Sequence, residues 1–272
     1  MPVTIKNQIV SSATPSASQL FSPVCWYDAS DASTVTLSGS NVTTWANKGS
    51  LGSGYNLTDV TWGAGYRPTY TTTQNGLNVL TCSGNNSRLT TTQVNSVTHI
   101  FVASAWSSGG ASSTNYKNYL GSNSYDWHGD NSAKLVSASY SSAWVQTQPT
   151  QSTSQLDGSN FVNNTNNKWT TFSIYSINLQ SGYTGGFSGT GHDGRGYGDR
   201  DFDGNYGEIL VYQTTYLTTD QINTITGYLA NKWGSTALLP SNHPYKSQSP
   251  FTTSTIIPLT FSGKSGFSMT IK

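Results

Sequence analysis

The chain has 272 residues with 13 Lys+Arg against 12 Asp+Glu, a formal charge of +1, and only 9% of its residues are charged, where soluble domains average about 25%. So sparse a set of cations offers no basic track for successive phosphates, which argues against a nucleic-acid partner even with 8 Trp and 16 Tyr available for stacking. No apolar run approaches the roughly 18 residues of a membrane span, and MPVTIKNQIV has no export-type apolar stretch, so neither a span nor a signal peptide is expected.

Residues 1–20 are rich in Ser, Thr and Pro without periodicity and read as an N-terminal arm. CWYDASDASTVTLSGSNVTTWAN then gives a short strand, an Asp-rich bend and Trp45. A Gly-rich turn follows near 49–54, then RPTY at 67–70, and NVLTC before a turn at 83–86. Short strands separated by such turns suggest a sandwich. Cys25 and Cys82 are too few for a disulfide framework, so buried free thiols are expected, with one bridge as the alternative.

VTHIFVASAW at 97–106 is the clearest core strand, being β-branched, aromatic and short for a helix; His99 within it reads as a packed or edge histidine. Residues 107–150 alternate polar loops with Tyr116, Tyr119, Tyr125, Trp127 and Trp144, where inserted loops could form a recognition surface. KWTTFSIYSINL at 168–179 alternates polar and apolar positions and reads as an extended strand.

The run GHDGRGYGDRDFDGNYG at 191–207 lacks the Lys-Ser/Thr ending of a phosphate loop and leads into the strand-like EILVY, not into a helix. Asp199, Asp201 and Asp203 have the spacing that would put carboxylates on one strand face, but among glycines turn formation is the simpler explanation. Glu208 is the sole glutamate, and no carboxylate pair of the glycosidase kind is identifiable, so the chain does not read as an enzyme. Thr218 or Thr219 caps a helix with Asp220 in its first turn and the stripe Ile222, Ile225, Leu229, Trp233; Gly234 is the expected stop. Residues 247–272 form a C-terminal extension, either a hairpin or an arm completing a neighbour's sheet. One domain, 21–246, therefore lies between two peripheral segments.

The ordered text WYDASDASTVTLSGSNVTTWANKGS, RPTY, NGLNVL, GEILVY and YLANKWG with LPSNHPYK, across 22–246, resembles the concanavalin A-like lectin/glucanase (LamG-like) domains of phage, giant-virus and bacterial surface proteins. The resemblance implies an all-β fold, a concanavalin A-like jelly-roll sandwich of two antiparallel sheets with one short C-terminal helix. It also implies that Trp26, Asp28, Ala29, Trp45, Glu208, Tyr228 and Trp233 tie together the first strand, the sheet and the closing helix. Glucanase members carry a Glu-x-Asp-x-x-Glu cluster that is missing from this sequence, so the resemblance does not bring hydrolase activity with it. Some related domains bind calcium, and Asp199, Asp201, Asp203 and Asn205 offer oxygen ligands at alternating positions, with Asx turns as the local alternative. Trp127, His128 and Asp130 would join aromatic stacking to polar sugar recognition, an exposed loop cluster being the other reading.

The expected function is that of a non-enzymatic structural protein of a virion, a capsid or capsid-associated component. Its sandwich would serve assembly with other virion proteins or copies of itself. The alternative is a glycan-binding module of a viral fibre, tail or cell-surface protein, with host glycan as partner.

Overall fold

A computed structural model describes residues 11–12, 15–59, 67–83, 87–107, 117–121, 126–129, 135–136, 152–161, 168–179, 185–191 and 202–253. The architecture is all-β and antiparallel, closed by one α-helix, Thr219–Trp233. Its axis is the strand Leu89–Trp106, which changes neighbours along its length. The first part, 89–97, pairs with Gly185–Thr190 and with Leu57–Asp59. The second part, from Val97 on, pairs with Asp203–Gln213 and Ser173–Leu179. Ser96 has φ of 54° at the changeover, and the register shifts there against both the 185–190 and 203–213 strands. Among the described residues a single hydrogen-bonded network of fourteen strands thus supplies both layers of a sandwich.

Ring contacts across the layers show the packing. Tyr27, on the strand Cys25–Asp28 that pairs with 208–211, lies 5.7 Å from Trp45 and 6.1 Å from Phe187 of the other layer. Tyr119, on Lys117–Gly121, stacks on Tyr206 at 5.6 Å and meets Tyr175 edge-on at 6.0 Å. Trp106, Trp169 and Phe202 complete this aromatic end of the core. Offset and edge-on ring pairs of this kind contribute about 0.5–1.5 kcal/mol each beyond the area they bury. Tyr119, one of the aromatics assigned to a recognition surface by its position in a polar segment, is instead fully buried. Its neighbours Tyr116, Tyr125 and Trp144 lie outside the described residues.

The strand seen at 97–106 extends back to Leu89. Its early half buries Leu89 and Val94 and leaves much of the Thr/Gln/Asn sequence partly exposed; from Val97 every residue is buried. The reason is that the second half is covered on both faces, by the opposite layer within and by the helix without, which calls for a continuous apolar run. Cys25 and Cys82 are buried free thiols. Both border the strand 203–213, but opposite Val211 and Gly204, roughly 20 Å apart along it, so they cannot bridge.

The helix begins with a capping box, Thr218 and Gln221 bonding each other's backbone N–H, and ends at Gly234 in the left-handed conformation, φ 77°. A hairpin, Thr73–Gln74 with Leu77–Asn78, turns through Asn75-Gly76 and feeds two side-chain amides into the helix terminus. Gln74 Nε2 donates to the Trp233 carbonyl at 3.2 Å and Asn75 Nδ2 to that of Lys232 at 3.0 Å. The outermost described segments also meet: Ser11–Ser12 pairs antiparallel with Thr252–Thr253. Leu20 is buried and accepts a hydrogen bond from the Tyr212 hydroxyl at 2.8 Å, and Phe251 packs 5.9 Å from Tyr228, so the packed body reaches slightly beyond 21–246.

Two buried titratable groups outside the helix interface give opposite pH signatures. Burial lowers His99, which lies edge-on to Tyr216, from 6.5 to about 4. Burial raises Asp157, which accepts the Ile174 N–H at 2.8 Å, from 3.8 to about 6. Below its unfolded value His99 takes up a proton only in the unfolded chain, so its contribution to stability is lost as pH falls from about 6.5 towards 4. Asp157 binds its proton more readily when folded, so its contribution grows as pH falls from about 6 towards 3.8. Urea denaturation between pH 7 and pH 4 is expected to show a shallower loss of stability for His99→Phe and a steeper one for Asp157→Asn.

Candidate functional site

The closing helix lies over the outer face of the strands 25–28 and 203–213, and a bulge decides what that face presents. Tyr206 pairs with Ser104 but Glu208 with the next residue, Ala103, leaving Gly207 as the extra residue. Tyr206 therefore points into the sandwich, while Glu208, directly opposite Asp28, points out beneath the helix. Gly207 also leaves no room for a side chain under the helix. A Cβ there would lie 2.8 Å from Phe172 Cζ and 2.9 Å from Trp233 Cε2 and Cζ2. Its carbonyl accepts the Ala29 N–H at 2.9 Å.

Glu208 is fully buried, and four donors address its two oxygens. Oε1 accepts from Trp26 Nε1 at 2.7 Å and the Tyr228 hydroxyl at 3.0 Å; Oε2 accepts from Lys232 Nζ at 2.7 Å and Trp233 Nε1 at 3.0 Å. Lys232 Nζ donates in addition to Asp28 Oδ1 at 2.7 Å. That oxygen also accepts the Ser30 backbone N–H at 3.1 Å and the Ser30 hydroxyl at 2.6 Å. On the solvent side Lys48 Nζ bridges Asp28 Oδ2 at 3.3 Å and Asp31 Oδ2 at 2.9 Å, and lies 4.3 Å from the Trp26 ring centroid. The result is a chain of alternating charge, Glu208, Lys232, Asp28, Lys48, Asp31, running from the interior to the surface.

Burial favours a neutral Asp28, but Lys232, Ser30 and Lys48 outweigh it and hold the carboxyl below its usual range. Burial likewise opposes the Lys232 charge, and Glu208 with Asp28 prevails, raising the ammonium above its usual value. Glu208 itself is raised, by burial first and by the Asp28 carboxylate, against the opposing pull of Lys232. A carboxylate this enclosed keeps its charge only while its donors stay in place.

The structure brings Trp26, Asp28, Glu208, Tyr228 and Trp233 together at this clasp. Ala29 borders it through its backbone, and Trp45 lies in the sandwich interior against Tyr27. Lys232 and Lys48, which complete it, were not singled out from the sequence. A lysine on an amphipathic helix ordinarily belongs to the solvated face. The available signal was its i, i+4 placement after Tyr228 and its position beside Trp233 in YLANKWG.

Asp203 and Asn205 begin a strand, not a turn, and Asn205 Oδ1 accepts from Thr81 Oγ1 at 2.8 Å. Asp199 and Asp201 lie outside the described residues, and among the described residues no cluster of three or more His, Cys, Asp or Glu is placed to hold a metal. Trp127 and His128 occupy the strand Asp126–Gly129, between 117–121 and Leu135–Val136 at the sheet's edge; Asp130 lies outside the described residues. Burial pushes the Cys25 thiol up to about 11, which leaves it inert as a nucleophile near neutrality. Among the described residues no helix is long and apolar enough to cross a membrane. Compared with protein-family models, curated proteins and solved structures, the chain matches none of them.

Two substitutions test the clasp by urea denaturation followed through Trp fluorescence. Gly207→Ala is expected to destabilise by about 1–3 kcal/mol through overpacking against Phe172 and Trp233. Glu208→Gln is expected to cost more, about 3–5 kcal/mol, because its amide group must face a donor and Lys232 loses a buried counter-charge.

Proposed function

We propose that this chain is a non-enzymatic structural component of a virion, a rigid β-sandwich that assembles with copies of itself or with other particle proteins. The observation that carries the assembly reading is the pairing of Ser11–Ser12 with Thr252–Thr253, which brings Ser11 and Thr253 side by side on the body. A two-stranded ribbon at this point suits a docking element. The clasp supports a structural role, since each oxygen of the buried Glu208 carboxylate accepts from two internal donors. The virion setting rests on the resemblance to lectin-like domains of virus particles and on the charge-poor composition.

Light scattering on the full chain, beside a chain trimmed to 11–253, tests this. A defined oligomer for the first and a monomer for the second is the expected result; two monomers would overturn the assembly role of the ends.

A second reading, glycan binding, is favoured by the position of Trp127 and His128 on a strand one place from the sheet's edge. On that reading Trp127→Ala abolishes binding to a polysaccharide array while circular dichroism stays unchanged. An absence of binding by the parent chain counts against it.

A further inference from the structure

Lys232 Nζ, Asp28 Oδ1 and Glu208 Oε2 form a compact group, with both nitrogen-to-oxygen distances at 2.7 Å. Asp28 and Glu208 are register partners on adjacent strands, and the lysine reaches down to both from the helix. Around them stand Trp26, Tyr228 and Trp233, with both carboxylate side chains at most 2% exposed and that of Lys232 at 14%. An amine held against a carboxyl group in this way, screened from water and with a second carboxylate beside both, has the parts required for amide formation. Fixing the reactants in contact supplies the large effective concentration that the same condensation lacks in water. Exclusion of water also disfavours the reverse hydrolysis.

We infer that the folded chain forms an intramolecular isopeptide bond between Lys232 Nζ and Asp28 Cγ, with Glu208 carrying the protons. The lysine ammonium gives a proton to Glu208 Oε2, and the freed amine attacks Asp28 Cγ. The Ser30 N–H and hydroxyl, already on Oδ1, hold the charge that develops there. The nitrogen loses a second proton by the same route, both protons pass to the Oδ2 oxygen, and that oxygen departs as water. One C–N bond forms and one C–O bond breaks. An ammonium and a carboxylate become a neutral amide plus one water, with no oxidant, reductant or activating group required. Glu208 ends in the state in which it began.

The reaction replaces the Lys232 ammonium and the Asp28 carboxylate with one neutral amide without changing the net charge of the group, and Glu208 then rests on its Trp26, Tyr228 and Trp233 donors. The bond would join the first core strand to the last turn of the closing helix, closing a covalent ring over the 28–232 segment.

The test is the intact mass of the denatured full-length chain, allowing for removal of Met1, followed by tandem mass spectrometry of its tryptic digest. The expected result is a loss of one water, about 18 Da, with no cleavage after Lys232 and a branched peptide joining the segments that hold Asp28 and Lys232. Lys232→Arg keeps the positive charge but is expected to restore the full sequence mass. Glu208→Gln is expected to lower the cross-linked fraction at least tenfold. A parent chain at full mass overturns the proposal whether or not the variants fold, as does a water loss that persists in Lys232→Arg. Full cross-linking in Glu208→Gln overturns the proton-carrying role. None of these outcomes depends on the oligomeric state, so the proposal stands or falls apart from the assembly reading.

Discussion

Docking of the helix as the chain folds depends on the ion pair between Glu208 and Lys232. Glu208 sits on the outer face of the sandwich where only the helix can screen it, and Lys232 sits in the helix's last turn, where Glu208 and Asp28 are its counter-charges. Either charge left alone in that interior would be expensive by several kcal/mol. Helix docking, the strand pairing 25–28 with 208–211 and the ionisation of three side chains are therefore one event. Trp26, Tyr228 and Trp233 serve it twice, as apolar cover and as donors or neighbours of the carboxylate.

Geometry enforces the same coupling through the backbone. The bulge at Gly207 turns Glu208 outward while leaving Tyr206 stacked on Tyr119 inside, and the missing side chain at 207 is what lets Phe172 and Trp233 close over the spot. Were 206–208 paired regularly with no bulge, the strand's alternation would place Tyr206 and Glu208 on one face, and either the aromatic core or the charge cluster would be lost. One inserted residue lets a single strand serve a packed interior and an ionic exterior within three positions.

Much of the architecture was legible in the sequence because local chemistry specified it. Thr218, Asp220 and Gly234 mark the helix by capping and by backbone conformation, and the run from Val97 to Trp106 is apolar because both of its faces are covered. The stretch 89–96 was missed because Thr, Gln and Asn dominate it and its burial is supplied by neighbours distant in sequence. Asp203 and Asn205 were grouped with the preceding glycines for the same reason: their strand character comes from pairing with 81–83 and 105–106. Tyr119 lay in polar text, yet among the described residues it packs against five aromatic side chains contributed by distant parts of the chain. Lys232 was invisible as a buried residue because helical periodicity says which face is apolar but not that a charge on its border will find two carboxylates.

The ribbon of Ser11–Ser12 against Thr252–Thr253 has a mechanical consequence. Its antiparallel register places Ser11 and Thr253 at the same edge, so tension applied between them peels the ribbon apart one residue pair at a time. Load of that kind reaches the sandwich only after the ribbon has opened, and it then arrives at Leu20 and Phe251, both anchored beside the helix and the 203–213 strand. Under such a load a weak, reopening link comes first in the force path, and the ionic clasp lies behind it.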